Sequence, residues 1–395
     1  AALTACPAED LVWRELLGAL LESHRREAKP AWWAQFARAE MSEDELIDDA
    51  ECIGGLRSDG RAPRQDKKSL VYGFTFPPQD LKMRLGDQPV RPGTLEPAGE
   101  IVALDEEART IELKLGPTRT PLGPAPSLIP PGPIGDKVLR EAVYRFAQSV
   151  VDGSGRYPGV EDILKRAPLR LAGRATDQPI IADGADLTPS AITAFRALDE
   201  SYLLVQGPPG AGKTYTASHA IVALLAGGKS VGVASHSHKA INGLLTAIER
   251  VAAEQGVCFA GVKKSSREDQ MLTSPRLIVN TLDNKEAAQG GFQLVAGTAF
   301  LFARPEFDGR FDYLFVDEAG QVSLANTVAM GVSAKNIVLI GDQMQLAQPI
   351  QGDHPGRSGL SALQHLMGKE ATVPPSQAIF LPITRRMHPK LCQFI

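Results

Sequence analysis

Gln206-Gly207-Pro208-Pro209-Gly210-Ala211-Gly212-Lys213-Thr214 is the stretch whose reading decides the fold. From Gly207 to Thr214 it fits G-x-x-x-x-G-K-[ST]. Several negative charges on a phosphate chain can be held by successive backbone N–H groups only where no Cβ blocks the approach, and Gly207, Gly210 and Gly212 meet that need. Lys213 adds a positive charge for the β- and γ-phosphates, and the Thr214 hydroxyl can ligate Mg²⁺. Pro208, Pro209 and Ala211 complete the loop, and Tyr215 follows it as the last of the expected nucleotide-binding residues. Tyr202–Val205 reads as a short buried strand before the loop. A helix from Thr214 to Ala226 follows, stopped by Gly227-Gly228, and its N-terminus would turn partial positive charge toward the phosphates.

Strand candidates at Val231–Ala234, Leu277–Asn280, Tyr313–Val316 and Ile337–Ile340 alternate with helical stretches, notably His238 to Ala253. That pattern predicts an α/β domain with a parallel sheet covered on both faces, its ligand outside the carboxyl ends of the strands. Phe311–Val316 runs into Asp317-Glu318, two adjacent acids that are costly to bury unless a cation or proton offsets them. Asp317 is expected on Mg²⁺, directly or through water, and Glu318 as the base for an attacking water. After the next strand, Gly341-Asp342-Gln343-Met344-Gln345 places glutamine beside the presumed γ-phosphate. In Thr384-Arg385-Arg386-Met387-His388-Pro389 an arginine could approach that phosphate from another domain.

At 395 residues the chain has room for two or three domains. Its net charge of −4 means that nucleic-acid binding would need a local basic surface. Cys6, Cys52, Cys258 and Cys392 have no C-x-x-C spacing, which argues against a disulfide framework or zinc finger and suits a reducing cytoplasm. No apolar run reaches membrane-spanning length. Upstream, residues 9 to 27 read as an amphipathic helix interrupted at Pro30, followed by Trp32, Trp33 and Phe36 and by a capping box at Ser42 and Glu45. Leu70–Phe76, Glu100–Leu104 and Thr110–Leu115 read as strands of a small β-barrel. Its Arg61, Arg64, Lys67, Lys68, Lys82 and Arg84 could meet a phosphate backbone, though each alone reads as solvated surface. Residues 117 to 133 hold seven prolines and read as an extended strap. The expected division is a helical stalk over 1–60, the barrel over 61–116, strap and stalk helices over 117–182, and a P-loop ATPase domain over 183–380.

Taken in order, the phosphate loop, Asp317-Glu318-x-x-Gln321, Gly341–Leu346 and Arg385–Pro389 resemble the motifs of superfamily 1 helicases. The likeness is to the 5′-to-3′ branch that includes nonsense-mediated-decay helicases and replication nuclease-helicases, and more narrowly to bacterial fusions with a RecB-like nuclease. The resemblance implies a RecA-like first motor domain preceded by a stalk and small β-barrel, and an ATP-dependent enzyme moving on single-stranded nucleic acid, DNA more than RNA. Carried over by position, it puts Lys213 and Thr214 on phosphates and Mg²⁺, and Asp317 and Glu318 in metal and base roles. It makes Gln345 the γ-phosphate sensor and Arg386 the arginine from a second RecA-like domain, whose start would be residues 381–395. Ser237 and His238, and Thr298 after Gly297, look like the loops that grip the strand's backbone. His236 and His238 have no Cys or acid close by in sequence, which argues against metal. Ala191 stands where the family carries a glutamine, leaving other nucleoside triphosphates open as substrates, and Arg385 replaces the usual aromatic. The chain stops just past Arg386, so the expectation is of a longer parent with the rest of the second motor domain and an N-terminal nuclease. An ATP-gated single-strand clamp without unwinding is the rival reading, and a small-molecule kinase is disfavoured by the two glutamine motifs.

Overall fold

The computed structural model describes residues 7–342, 344, 345, 349–368, 370 and 372–384. The chain divides into two compact units, one of residues 27–135 and one of residues 1–26 with 136–395. Helices α1 (Ala8–Leu21) and α2 (Ser23–Glu40) open the chain. The interruption expected at Pro30 does not occur: α2 runs through it, losing the one backbone hydrogen bond that proline cannot donate. Helix α3 (Glu43–Asp48) starts with the expected box, Ser42 Oγ accepting from Glu45 N–H while the Glu45 carboxylate accepts from Ser42 N–H at 2.7 Å.

Strands β1 (Arg57–Ser58), β2 (Arg64–Asp66), β3 (Ser69–Thr75), β4 (Glu100–Asp105) and β5 (Thr110–Leu115) form an antiparallel sheet in the order β1-β3-β5-β4, with β2 also on β3. Alternation places Phe74, Ile101, Ile111 and Leu113 on one buried face, together with Ile53, Leu56 and Leu128. The proline-rich segment contributes Leu128, whose backbone pairs with Ile53.

The other unit continues with α4 (Lys137–Val151), α5 (Pro158–Lys165), α6 (Leu187–Ala197), β6 (Tyr202–Gln206), α7 (Lys213–Ala226), β7 (Val231–Ser235) and α8 (His238–Gln255). Then come β8 (Gly261–Lys264), β9 (Ile278–Thr281), α9 (Asn284–Ala288), β10 (Leu294–Gly297) and α10 (Ala299–Phe302). The remaining elements are β11 (Phe311–Asp317), α11 (Leu324–Gly331), β12 (Ala334–Gly341), α12 (Ala362–Met367) and β13 (Ala378–Phe380). Eight parallel strands are ordered β13-β6-β12-β11-β7-β10-β8-β9. The parallel α/β sheet expected of a RecA-like domain is therefore present. Both faces are buried: Leu203, Val205 and Val338 join a core with α6, α7 and α8, while Leu204, Ile337 and Leu339 join one with α4, α5 and α11. Each fully buried aliphatic side chain contributes on the order of 1.5–3 kcal/mol. Because β11 and β12 come late in the chain yet lie between β6 and β7, the connection leaving β6 spans two strand positions and opens a crevice at the carboxyl edge.

Candidate nucleotide and strand-binding edge

Parallel register fixes which side chains share that edge. Gln206 at the end of β6 lies opposite Gly341 of β12, and Asp317 at the end of β11 lies opposite Ser235 of β7. From β6 the chain enters the glycine loop, anchored by Gly207 N–H donating to Gly341 O at 3.2 Å. A Cβ on Gly207 would stand 3.0 Å from the Leu381 Cβ, and Gly210 and Gly212 have φ of +80° and +90°, a region that disfavours side chains. Lys213 Nζ donates to Gly207 O at 2.6 Å and Pro208 O at 3.1 Å, which holds the ammonium inside the curve of the loop. Thr214 and Tyr215 are exposed in the first turn of α7, and the Tyr215 ring packs on His219 with centroids 4.0 Å apart. Pro209 O accepts from Thr384 Oγ1 at 2.9 Å.

Two strands away, burial pushes the Asp317 carboxyl up to about 6; Glu318 N–H, donating to its Oδ1 at 3.0 Å, and the Lys213 charge pull the other way, while the Glu318 charge adds to the rise. Lys213 and Asp317 thus sense each other's charge across the edge. Glu318 sits in the left-handed region at φ +55°, a conformation costing a non-glycine residue on the order of 1–3 kcal/mol. The chain turns after β11 through that conformation, and the Glu318 charge still acts on Asp317. At the end of β12, Asp342 is buried; its Oδ1 accepts from Met344 N–H at 2.9 Å, and its Oδ2 has no partner among the described residues. The sequence reading passed over Asp342 in favour of Gln345, and an acid following a glycine at a strand's carboxyl end was the available signal. Gln345 lies in the exposed turn beyond, its N–H donating to Asp342 O at 3.4 Å, and no hydrogen bond joins it to Lys213, Asp317 or Glu318 among the described residues. Arg386 lies outside the described residues.

The other expected residues gather on the neighbouring strands. Gly297 of β10 lies opposite Ala234 of β7, so Thr298 and Ser235 leave the sheet side by side. Ser237 caps α8, its Oγ accepting from Ala240 N–H at 3.1 Å. His238 is half-buried and its Nδ1 has no partner among the described residues; desolvation, with Lys263 and Lys264 nearby, pushes its pKa down to about 4 and keeps it neutral. Next along the edge, β8 ends in Lys263 and Lys264, which the sequence reading did not single out. Lys263 is fully buried, its Nζ donating to Ser265 Oγ at 2.7 Å and to Gln270 O, and burial lowers its pKa to about 8. Lys264 is lowered by burial and by the charge of Arg304. The edge therefore has an anionic pair set against a glycine loop, and beside it a helix N-terminus, hydroxyls and confined cations.

Residues 189–358 match the AAA domain family. The chain is 30% identical over 176 residues to the DNA replication ATP-dependent helicase/nuclease JHS1 of Arabidopsis thaliana, a match covering 41% of this chain and 12% of that protein. It is 26% identical over 291 residues to the regulator of nonsense transcripts 1 homolog of Drosophila melanogaster, covering 65% of this chain and 24% of the relative. Among solved structures, the arterivirus nonstructural protein 10 helicase in complex with DNA is similar at 13% identity and a TM-score of 0.38, over 84% of this chain and 55% of that one. The chain thus spans between an eighth and a quarter of the length of these two curated relatives. The match to the AAA domain family falls on the stretch that carries the phosphate loop, Asp317 and Glu318, and the sequence similarity is to a replication helicase/nuclease.

Proposed function

We propose that this chain is the first motor domain of an ATP-dependent helicase that moves on single-stranded nucleic acid. The observation that carries the reading is the shared edge: the glycine loop with Lys213, the Asp317-Glu318 pair, and the Ser237 and Thr298 loops all leave carboxyl ends of one parallel sheet. A triphosphate seated over Gly207–Thr214 would be held by backbone N–H groups and Lys213, with the N-terminus of α7 favouring its charge. Thr214 Oγ1 and Asp317 fit a Mg²⁺ site, since an exposed hydroxyl lies by the loop and a buried carboxylate with a raised pKa lacks cationic compensation beyond Lys213. When bound, Mg²⁺ would supply charge neutralisation at the phosphates. Glu318, next after Asp317 at the end of β11, takes the role of base, holding and deprotonating water in line with the terminal phosphate. Asp342, at the end of β12 beside β6, has an acceptor without a partner among the described residues at the same edge. Tyr215 offers an aromatic face to the base, and Gln345 and Arg386 are assigned the sensing and charge-stabilising roles by motif position. Single-stranded DNA is the favoured track, because replication helicase/nucleases recur among the relatives.

The test divides binding from chemistry. Lys213→Ala is expected to weaken Mg·ATP binding at least tenfold in fluorescent-nucleotide titrations of this chain. Glu318→Gln is expected to leave that affinity within a factor of about two and, in the full-length protein, to lower strand-stimulated turnover by about 10² or more. An unchanged turnover in the Glu318→Gln protein would remove Glu318 from the base role.

A further inference from the structure

Helix α1, the end of α5, residues 355–357 and α12 enclose a groove of about 570 Å³. Its floor is apolar: Trp13 and Leu164 are buried, Leu16 is partly so, and Val12 stands 73% exposed at the rim. The side formed by Arg166 and Arg357 is cationic, while Glu15 of α1 also lines the groove. Arg166 follows α5 and donates from Nη2 to Leu366 O at 3.1 Å, and Arg357 donates from Nη2 to His365 O at 2.7 Å. These bonds satisfy carbonyls at the C-terminus of α12, which explains why the arginines sit there. They do not compensate the charges. Neither guanidinium has a carboxylate within ion-pair distance among the described residues, and burial together with the Arg166 charge lowers the pKa of Arg357. By contrast Lys165, lying 4.9 Å above the Trp13 ring, is already paired with Glu161 at 2.7 Å.

His365, only 2% exposed, lines the same groove. Its Nε2 lies 3.0 Å from Ile163 O and 3.2 Å from Leu164 O, and since carbonyls only accept, Nε2 carries the proton. Nδ1 is then an acceptor, buried and without a partner among the described residues. Apolar residues beside two uncompensated arginines are the composition of a docking surface, where aromatic and arginine side chains concentrate binding energy.

We propose that this groove docks an acidic peptide segment of a partner protein, one carrying an aliphatic or aromatic side chain beside its carboxylates. The carboxylates pair with Arg166 and Arg357, and the apolar side chain covers Leu16 and Val12 at the rim. A nucleic-acid backbone would answer the arginines but leave the apolar floor wet, so the composition favours peptide. The proposal does not depend on the catalytic reading of the nucleotide edge.

The experiment is anisotropy of a fluorescein-labelled short peptide of Asp, Glu, Leu and Phe with the whole chain, beside the same peptide with Lys at every acidic position and an unlabelled single-stranded oligonucleotide as competitor. The acidic peptide is expected to bind and the lysine peptide not. Combined Arg166→Glu and Arg357→Glu should weaken the acidic peptide about tenfold and improve the lysine peptide. Arg166→Gln, whose amide can still cap Leu366 O, should weaken binding severalfold at unchanged Tm, which guards against a folding defect. Equal binding of both peptides, indifference to the arginine variants, or displacement of the peptide by the oligonucleotide would overturn the proposal.

Discussion

Tyr215 is 49% exposed two residues beyond Lys213, an unusual place to leave an aromatic ring. His219, one turn later, packs against it and donates from Nδ1 to Tyr215 O at 2.9 Å, which steadies both rings. Ala191, on the adjacent helix α6, is fully buried and offers no amide to read a base edge. Stacking on Tyr215 then remains as the way to hold the base, and stacking is tolerant of base identity. Tyr215→Ala is expected to weaken ATP and GTP by a similar factor, about tenfold or more from stacking worth ~1–3 kcal/mol. Inorganic tripolyphosphate, which has no base, should bind the variant as it binds the parent chain. Calorimetric titration of all three ligands checks this: a large loss for ATP alone would mean base-specific contacts, and an equal loss for tripolyphosphate would mean that the loop itself was damaged.

At the scale of elements, the strands of the nucleotide half were legible because each is a run of apolar residues between polar stops. Tyr202–Gln206, Phe311–Asp317 and Ala334–Gly341 are buried on both faces, so local hydrophobicity alone marks them. Strand β8 was not legible: Gly261-Val262-Lys263-Lys264 is short and half lysine, and what makes it a strand is pairing with β9 and β10 on either side. Strand β13 has three residues and exists through its register with β6. Proline misled in the other direction: α2 continues through Pro30 despite the hydrogen bond that proline cannot donate. The β8 case has a thermodynamic consequence. Lys263 is fully buried with two acceptors and, among the described residues, no carboxylate in ion-pair distance, and burial lowers its pKa from 10.5 to about 8. A base with a depressed folded pKa binds its proton more weakly in the folded state. Its penalty is therefore full below pH 8 and is relieved as pH rises from 8 toward 10.5. Chemical denaturation of the wild-type chain and of Lys263→Met should show wild type gaining on the variant across that window, by at most about 3 kcal/mol. A stability difference that is flat with pH would mean that Lys263 titrates normally.

The whole molecule combines a parallel sheet, whose carboxyl edge is the candidate motor site, with a separate antiparallel unit that has its own core around Phe74, Ile101, Ile111 and Leu113. Motif order revealed the first because phosphate chemistry demands particular residues at particular spacings. The cationic end of β8 was hidden because Lys263 and Lys264, adjacent in sequence, join the edge that holds Ser237 and Thr298 only after the sheet forms. Those lysines matter for strand binding by a chain whose net charge is −4. No global field draws a polyanion to such a surface, so attraction must come from the few cations beside Ser237 and Thr298, with Lys264 the least enclosed of the β8 pair. Each phosphate neutralised on a single strand contributes a slope of about −0.7 to log K against log salt. Two or three contacts therefore predict a shallow slope of about −1.5 to −2, far below that of strongly basic proteins. Anisotropy of a labelled oligo-dT strand, titrated with this chain at several salt concentrations, measures the slope directly. Lys264→Ala should reduce its magnitude by about 0.7 while leaving Mg·ATP affinity unchanged, because the lysine lies on β8, five strands from the phosphate loop of β6 in a sheet that places β12, β11, β7 and β10 between them. Affinity indifferent to salt, or a slope untouched by Lys264→Ala, would move the strand's path off this edge.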